Sequence, residues 1–321
     1  MPLRAEARRR VAVTGATGFI GRRLLPQLAA AGWDIRILVR RDPADVFWAN
    51  LDIEVVQGDL VDAAASRRLV EGADAVVHLA GLIKAPRRAD FMRANRDGTR
   101  HLAEAVAAAE RAHLLLVSSL AAREPGLSDY AASKRAAEQA AFEVLGARLS
   151  VLRPPAVYGP GDRETLAFFE LARLPWVPLL GAPEARSAVI HVDDLCSALV
   201  GMLARLPTGR VETASDAHPA GYRWREIMEA AAGALGAKPR GYFQLPRPLL
   251  RSLAAVGDIG RIIGRGNMLN SDKLGELRHL DWTVGDGELL NLPGWAPGFD
   301  LKTGFADAVS SYRAAGWLPA A

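Results

Sequence analysis

The feature that most constrains this chain is a glycine-rich turn near its start, GATGFIG at residues 15–21. Residues 11–14 before the turn are apolar or β-branched and predict a strand, and the residues after it have the periodicity of a helix. Gly15 permits the tight turn, Gly18 lets the backbone approach a ligand, and Gly21 lets the helix pack closely. The N-terminus of the helix presents free N–H groups and a partial positive charge. The turn therefore predicts a pocket for a pyrophosphate.

Short apolar strands and amphipathic helices alternate through the first half of the chain. The predicted strands cover residues 11–14, 35–39, 53–57, 75–79, 114–118 and 150–152, and the predicted helices cover residues 19–31, 62–70, 89–109 and 130–145. Such alternation predicts an α/β fold, a Rossmann-type doubly wound parallel sheet. We expect a dinucleotide-binding domain over residues 1–155 and a smaller C-terminal substrate lobe over residues 156–321. Two segments near 188–214, namely 188–192 and 210–213, are expected to return to the sheet.

The composition narrows the function classes. Half of the 321 residues are apolar, enough for a sizeable core, and the formal net charge is +4. The one cysteine, Cys196, excludes an internal disulfide and predicts a buried structural thiol. Neither a signal peptide nor a membrane-spanning run is expected, and the scattered arginines do not favour nucleic-acid binding. We therefore expect a cytoplasmic protein; the oligomeric state stays open.

Tyr130 and Lys134 are candidates for proton transfer. They are four residues apart on a predicted helix, so both side chains lie on one face. A tyrosine normally ionises near pH 10, and a nearby ammonium is expected to lower its pKa. Ser119 follows a buried strand and is placed to hold a substrate oxygen by a hydrogen bond. The alternative interpretation is a solvated surface pair without catalytic function.

At this point the chain resembles a known family, the extended or atypical short-chain dehydrogenases/reductases of the NAD-dependent epimerase/dehydratase group. The resemblance covers nearly the whole chain. It rests on GxxGxxG at residues 15–21, GDL at 58–60, HLAG at 78–81, NxxGT at 95–99, SS at 118–119, YxxxK at 130–134, RP at 153–154, VYGPG at 157–161 and HVDD at 191–194. Near the end, GWxP at 294–297 and LKxG at 301–304 are similar to the closing turn and helix of the family.

The resemblance implies a role for each matched site residue. Tyr130 would exchange a proton with the substrate oxygen, Lys134 would hold the nicotinamide ribose, and Ser119, rather than Ser118, would polarise the carbonyl. Further residues are expected to contact the cofactor. They are Gly15, Thr17, Gly18, Phe19, Ile20 and Gly21 in the turn, Asp59 and Leu60 at the adenine, Ala80 and Gly81 along the cofactor backbone, and Pro154 and Pro155 near the nicotinamide.

The end of the second predicted strand favours NADP(H) over NAD(H). NAD-binding relatives usually carry an acidic residue there, which accepts hydrogen bonds from the ribose hydroxyls. This chain has Arg40 and Arg41 instead. A guanidinium binds a phosphate through two hydrogen bonds, so Arg40, with Arg41 behind it, is the candidate for the extra phosphate. The alternative is that both are solvated loop charges.

The residues after Ser119 restrict the type of reaction that we expect. Dehydratases of the group carry an acid directly after the catalytic Ser or Thr, whereas Leu120 and Ala121 follow here. The short segment from Ser119 to Tyr130 indicates an open mouth, similar to the atypical branch that includes the complex I accessory subunit and reductases of lipid ketones. We expect an NADPH-dependent reductase of a lipid-like ketone, in the narrowest form 3-oxo-ceramide to dihydroceramide. The alternatives are a nucleotide-sugar epimerase or reductase, with Arg186 and Arg223 at a diphosphate, and a non-catalytic dinucleotide-binding subunit.

Residues 249–265 form an amphipathic pattern with two interpretations. Leu249, Leu253, Val256, Ile259 and Ile263 share one side, and the arginines lie on the other. This is typical of an interfacial helix, which would place the protein at the inner face of a membrane, but it also suits an ordinary lobe helix that faces the core. Elsewhere, Asp193 and Asp194 beside His191 predict the first turn of a helix. No metal site is expected.

Overall fold

A computed structural model describes residues 9–41, 48, 50–262 and 271–320, with the backbone alone for residues 253, 256–262, 271 and 272. Seven parallel strands form its central sheet. They are β1 Arg10–Thr14, β2 Asp34–Val39, β3 Ile53–Gln57, β4 Ala75–His78, β5 His113–Val117, β6 Leu149–Leu152 and β11 Val211–Glu212. Their order in the sheet is β11-β6-β5-β4-β1-β2-β3. The central strands are apolar on both faces because helices cover both sides. The predicted α/β fold is therefore confirmed.

Two groups of helices cover the sheet. One face packs against α1 Phe19–Ala30 and α7 Val192–Leu203. The other face packs against α2 Ala63–Val70, α4 Gly98–Ala108 and α5 Asp129–Leu145. These helices bury leucine, valine and alanine side chains that recur at helical spacing, as the sequence pattern indicates. The arrangement brings the carboxyl ends of the strands to one edge, where the predicted site residues lie.

The predicted helix over residues 89–109 is divided into three parts. A short helix α3, Arg88–Phe91, leads into a π-helical segment, Met92–Asp97, before α4 begins. Asn95 lies in the π-helical segment, and its backbone carbonyl accepts a hydrogen bond from Thr99 Oγ1 at 2.5 Å. Such wide turns inside a helix often occur at functional positions.

Of the two segments expected to return to the sheet, one does so. Residues 211–212 pair with β6 as strand β11, but residues 189–191 form β10, Val189–His191, which pairs with β7, Ala156–Tyr158. The expectation for residues 188–192 was therefore wrong. The chain leaves the sheet through Pro154 and Pro155, and β7 starts a separate two-stranded sheet.

Within the described residues, the rest of the lobe contains two further small sheets and five helices. The sheets pair β8 Trp176–Leu179 with β13 Gly241–Gln244, and β9 Arg186–Ser187 with β12 Tyr222–Arg223 and β14 Asp281–Trp282. The helices are α6 Leu166–Ala172, α8 Trp224–Leu235, α9 Arg247–Ile262, α10 Ser271–Arg278 and α11 Leu301–Ala314. Phe169, Phe305 and Tyr312 lie at the centre of the lobe core.

Helix α9 buries a different face from the predicted apolar stripe. Leu250 and Ala254 are buried against Leu274 of α10, whereas Leu249 remains 47% exposed. The side chains of Leu253, Val256 and Ile259, and the whole of residues 263–265, lie outside the described part of the chain. Within the described residues, none of the helices combines the length and apolarity needed to span a bilayer.

Candidate active site

The glycine turn has no room for side chains. Gly15 has a φ of +74°, and a Cβ there would lie 2.6 Å from the backbone nitrogen of Ala80. A Cβ on Gly21 would collide with the carbonyl oxygen of Gly15. Gly21 therefore packs against the turn, whereas the sequence predicts that it packs against the strand. Gly18 begins α1 without a side-chain cap, which leaves the first N–H groups of the helix available to an anion.

The loop after β4 joins this turn to helix α5. The Ala80 nitrogen donates to Thr14 Oγ1 at 3.3 Å, which holds the loop against the end of β1. A Cβ on Gly81 would lie 3.0 Å from Asn95 Oδ1 and 4.0 Å from Lys134 Nζ. The structure therefore brings Gly15, Ala80, Gly81 and Lys134 into one continuous surface.

Lys134 is buried with its ammonium directed at the end of β5. Its Nζ donates to the carbonyl oxygen of Val117 at 2.9 Å, and the residue is 7% exposed. Burial lowers the pKa of Lys134 to about 8, against an opposing attraction from Glu138. A lysine in this state changes its charge close to neutral pH, which is unusual for a structural residue.

Tyr130 lies one helical turn before Lys134, and Ser119 is the hydrogen-bonding side chain that acts on its pKa. Burial raises the pKa of Tyr130 to about 12, Ser119 lowers it and Glu276 raises it. The sequence predicts that the Lys134 ammonium governs this pKa, but burial has the larger effect. Tyr130 therefore keeps its proton at neutral pH, and the residue as a whole is partly exposed.

The two neighbouring serines have different surroundings. Ser118 is 5% exposed, and its Oγ donates to Glu138 Oε1 at 2.5 Å. Ser119 is partly exposed, and its Oγ accepts from the Ala121 nitrogen at 3.2 Å while facing Tyr130. Ser118 is therefore committed to the interior, and Ser119 alone of the two is open to a substrate oxygen.

The segment after β6 closes the site on its inner side. Pro154 and Pro155 are both buried, and the Pro154 carbonyl accepts from the Leu120 nitrogen at 2.8 Å. This bond places the two prolines directly beside Ser119. That the backbone near these prolines meets the reactive end of a ligand stays a prediction.

The residues predicted at the adenine end lie on the surface, apart from the buried cluster. Arg40 and Arg41 directly follow β2; both are exposed and form no ion pair or hydrogen bond with the described part of the chain. Asp59 is also exposed, and its Oδ1 accepts from the Val61 nitrogen at 3.3 Å. Leu60 is partly buried against Gly98, where a Cβ would lie 3.3 Å from it.

The remaining predicted turn residues have ordinary surface geometry. Thr17 is exposed, and its carbonyl accepts from Arg22 Nε at 3.0 Å. Phe19 and Ile20 are partly buried in the first turn of α1, where Phe19 lies 3.8 Å from the position of a Cβ on Gly161. Phe19 therefore lies between the glycine turn and the lobe segment that contains Gly161.

Three polar residues support the site through contacts that the sequence pattern did not predict. Asn95, which belongs to the NxxGT pattern, fastens the loop after Gly81, because its Oδ1 accepts from the Leu82 nitrogen at 2.7 Å and its Nδ2 donates to the Leu82 carbonyl at 3.0 Å. Glu138 holds Ser118, as described above. Glu276, from α10, accepts from Ser128 Oγ at 2.5 Å. Asn95 and Glu138 carried a usable signal, since one lies in a family motif and the other follows Lys134 at helical spacing.

His191, Asp193 and Asp307 form the one group with metal-ligand character among the described residues. Asp193 accepts two hydrogen bonds from the Arg23 guanidinium, and His191 Nε2 lies 3.3 Å from Asp307. The His191 ring stacks on Phe299 with centroids 3.8 Å apart. Asp193 lies in the first turn of α7, as predicted, and forms an ion pair with Arg23. Cys196, in the same helix, is buried as expected.

The chain matches a family model and is similar to known proteins. Residues 11–213 match the model of the "NAD dependent epimerase/dehydratase family". The chain is 48% identical over 316 residues to a ceramide reductase of Caulobacter vibrioides, covering 98% of each protein. It is 27% identical over 233 residues to a 4-hydroxy-2-methyl-3-oxo-4-farnesyl-3,4-dihydroquinoline-1-oxide ketoreductase of Stigmatella aurantiaca, covering 65% of this chain and 69% of that protein.

Solved structures of other proteins have a similar fold. The structure of MoeE5 in complex with UDP-glucuronic acid and NAD superposes with a TM-score of 0.68 at 22% identity, covering 96% of this chain and 99% of that chain. At this identity the likeness concerns the fold, whereas the family model matches most of the chain, including the glycine turn and the Tyr130–Lys134 helix. The chain belongs to the NAD dependent epimerase/dehydratase family and is an NAD(P)-dependent enzyme of oxidoreductase type.

Proposed function

We propose that the protein reduces the ketone of a lipid-like substrate with NADPH, and that the substrate is a 3-oxo-ceramide converted to dihydroceramide. The observation that carries the proposal is that the partly exposed Ser119 acts on the pKa of a protonated Tyr130, one turn before Lys134, whose Nζ lies beside Gly81. The 48% identical relative named as a ceramide reductase supports the substrate. The relative that acts on a farnesyl-bearing ketone supports a long apolar substituent.

The glycine turn fits a dinucleotide. A Cβ at Gly15 or Gly21 would collide with backbone atoms, and the uncapped start of α1 offers N–H groups to a pyrophosphate. Lys134 Nζ, beside Gly81, would hold the ribose next to the nicotinamide. The bound cofactor supplies a hydride to the carbonyl carbon of the substrate. Arg40 and Arg41 would hold the extra phosphate of NADP.

The protein's own residues handle the oxygen of the ketone. Ser119 Oγ donates a hydrogen bond to it and fixes its position beside the Tyr130 hydroxyl. As the carbon accepts the hydride, Tyr130 gives its proton to the oxygen, and the C=O double bond becomes a CH–OH group. The Lys134 ammonium stabilises the phenolate that remains until solvent returns a proton. Because burial keeps Tyr130 protonated at neutral pH, the site is prepared for reduction.

Turnover of a keto-lipid by the purified protein tests the proposal. The protein is incubated with NADPH and 3-oxo-ceramide in detergent micelles, and dihydroceramide is measured by mass spectrometry. Tyr130→Phe should reduce kcat by about 10²–10⁴-fold, the usual contribution of a positioned acid, and should leave NADPH binding unchanged. Tyr242→Phe, which removes the hydroxyl of a partly buried tyrosine of the lobe, is the matched control and should act as wild type. Wild-type activity in Tyr130→Phe would refute the catalytic assignment.

A second candidate is a nucleotide-sugar epimerase or reductase. Arg186 and Arg223 lie directly opposite each other in the antiparallel register of β9 and β12. Two adjacent guanidinium groups are suited to a diphosphate, although Arg186 Nη1 already donates to the Gly221 carbonyl at 3.0 Å. Incubation with a panel of UDP- and dTDP-sugars discriminates between the two candidates. Turnover of a sugar without turnover of keto-lipids would replace the first proposal by this one.

A non-catalytic dinucleotide-binding role is the third alternative. The geometry of Ser119, Tyr130 and Lys134 weighs against it, because such a role needs no proton donor. Complementation of a deletion strain by Tyr130→Phe tests it: full complementation would support a structural role, and failure with normal protein levels supports catalysis.

A further inference from the structure

The ribbon formed by β8 and β13 carries two exposed aromatic side chains. The parallel register pairs Trp176 with Gly241 and Pro178 with Phe243, so Trp176 and Phe243 lie on the same face. Trp176 is 57% exposed and Phe243 is 42% exposed. The opposite face is buried in the lobe core through Val177 and Tyr242. The aromatic face is therefore directed away from the protein.

The apolar surface continues onto helix α9. The ribbon leads directly into the helix, because the Leu245 nitrogen donates to the Leu179 carbonyl at 3.2 Å and α9 begins two residues later. Leu249, in the first turn, is 47% exposed, and Leu174, before β8, is 42% exposed. These two leucines, Trp176 and Phe243 make up four of the nine large apolar side chains that are exposed in the described part of the chain. All four lie on β8 and β13 or within about five residues of these strands along the chain, which distinguishes them from scattered surface hydrophobics.

The segments that carry this surface are basic, and the acidic residues Glu184, Glu229 and Asp258 lie at their borders. Residues 173–183 and 230–257 contain neither Asp nor Glu. They carry five basic residues, all exposed, namely Arg173, Lys238, Arg240, Arg247 and Arg251. The pKa of Arg278 is lowered by its burial and by repulsion from Arg247 and Arg251, and attraction by Glu184 opposes this effect. The three guanidinium groups therefore lie near one another. We call the four apolar and five basic residues together the docking face.

The docking face is connected to the catalytic helix through α10. Leu250 and Ala254 of α9 pack on Leu274. The next residue, Gly275, approaches the Leu127 carbonyl so closely that a Cβ would lie 3.0 Å from it. Glu276 then accepts a hydrogen bond from Ser128, two residues before Tyr130. One helix therefore separates α9 from the residues that begin the catalytic helix.

We propose that the docking face binds an anionic lipid bilayer and so delivers a lipid substrate from the membrane to the mouth of the site. Tryptophan and phenylalanine side chains enter the interface between head groups and acyl chains, and arginines bind lipid phosphates while their stems lie on apolar surface. Each basic residue near an anionic membrane adds to the binding affinity. Docking itself is independent of the proposed reaction; only substrate delivery rests on it.

The charge pattern favours a bilayer over a second copy of the chain. Two docking faces in contact would bring ten basic side chains together without an acidic partner from the segments that form them. A bilayer that contains phosphatidylglycerol supplies both the apolar interior and the negative charge that such a face needs.

Vesicle flotation tests the proposal. Wild-type protein is mixed with vesicles of phosphatidylcholine alone or with added phosphatidylglycerol, and the bound fraction is measured against salt concentration. We expect binding to the anionic vesicles, weakened by about tenfold or more in Trp176→Ala/Phe243→Ala and in Arg247→Glu/Arg251→Glu. Circular dichroism and thermal unfolding verify that each variant is folded.

Two controls separate the docking face from general effects. Leu206→Ala removes an apolar side chain that is 86% exposed elsewhere on the protein, and Arg67→Glu/Arg111→Glu produces the same change of net charge at another surface. Both should bind within about twofold of wild type. Equal losses in the two charge-reversal variants, or absence of wild-type binding, would overturn the proposal. A dimer in sedimentation analysis that Trp176→Ala/Phe243→Ala dissociates would overturn it in favour of self-association.

The proposed ketone reduction and the proposed membrane binding by the docking face can be refuted independently of each other. Tyr130→Phe should bind vesicles as wild type does, whereas the docking-face variants should still reduce a keto-lipid dispersed in detergent micelles. Vesicle binding without keto-lipid turnover would leave the docking face in place and refute the reaction. Turnover in micelles with no difference between wild-type and docking-face variants on vesicles would refute the docking face alone.

Discussion

Glu138 and Arg153 form a buried ion pair that fastens helix α5 to the segment after β6. Arg153 Nε donates to Glu138 Oε1 at 2.8 Å, and Arg153 Nη2 donates to Oε2 at 2.5 Å. Glu138 follows Tyr130 and Lys134 at intervals of four residues, so the three side chains lie along one face of the helix. Since Pro154 comes directly after Arg153, the ion pair fixes α5 relative to the backbone beside Ser119.

The first prediction concerns this ion pair. Glu138→Gln leaves the Arg153 guanidinium buried without a compensating charge, so we expect the free energy of unfolding to fall by about 3–5 kcal/mol. Urea unfolding followed by circular dichroism measures it. Glu138→Leu combined with Arg153→Met should recover part of the loss, because no unpaired charge remains.

Arg135 supplies the control for this prediction. Its side chain is 44% exposed and lies 3.8 Å from the same carboxylate, so Arg135→Gln should cost less than about 1 kcal/mol. If Glu138→Gln cost no more than Arg135→Gln, the buried pair would not be the element that holds α5.

The parts of the site that the sequence predicted are those carried by short segments. The glycine turn is one loop between a strand and a helix, and Tyr130 and Lys134 share one helix, so spacing alone places them. The Asn95–Leu82 and Glu276–Ser128 contacts join residues far apart in the chain, and their partners cannot be inferred from spacing. The three strands of the lobe's largest small sheet are only two residues long, too short to show an alternating pattern.

The pKa of Tyr130 could not be predicted for a different reason. Spacing shows that Lys134 lies one turn away, but not that the ammonium is directed to the Val117 carbonyl. Burial of the phenol depends on tertiary packing, and the charge of Glu276 on α10 raises the pKa further. Proximity along a helix therefore predicted that Tyr130 and Lys134 share one face, but it gave the wrong balance of effects on the pKa.

The second prediction concerns the glycine turn. Gly15→Ala places a Cβ 2.6 Å from the Ala80 nitrogen in a backbone with φ of +74°, so we expect loss of dinucleotide binding together with lower stability. Gly32→Ala separates the two causes, because Gly32 has a φ of +80° and no atom within 4 Å of its Cβ. That variant should lose about 1 kcal/mol of stability and keep dinucleotide affinity, as measured by thermal unfolding and fluorescence titration. Unchanged affinity in Gly15→Ala would contradict the assignment of the turn.

The third prediction concerns the pH dependence of ketone reduction. The pKa of Lys134 is about 8 and that of Tyr130 about 12, so Lys134 loses its proton first as the pH rises. We expect kcat/KM to be constant below pH 8 and to fall above it by about tenfold per pH unit. In Lys134→Arg the guanidinium stays charged, so this decline should disappear even if the rate is lower. A decline at the same pH in Lys134→Arg would assign it to another group.

The fall of kcat/KM above pH 8 cannot come from unfolding of the protein caused by deprotonation of Lys134. An unfolded lysine has a pKa near 10.5, so between about pH 8 and pH 10.5 the unfolded chain binds more protons at Lys134 than the folded protein does. The contribution of Lys134 to stability therefore rises with pH in this window. Thermal unfolding measured at both ends of the window should show no loss attributable to Lys134.

The fourth prediction concerns the cofactor. Arg40 and Arg41 follow β2 and are both exposed, and a guanidinium there would bind the extra phosphate of NADP through two hydrogen bonds. Arg40→Glu should raise the KM for NADPH at least about tenfold and leave the KM for NADH similar or lower, because a carboxylate repels the phosphate and accepts from ribose hydroxyls. Arg111→Glu, an exposed arginine on another surface, controls for net charge. A parallel change of both KM values would show that Arg40 does not select the cofactor, and an effect confined to Arg41→Glu would assign the selection to its neighbour.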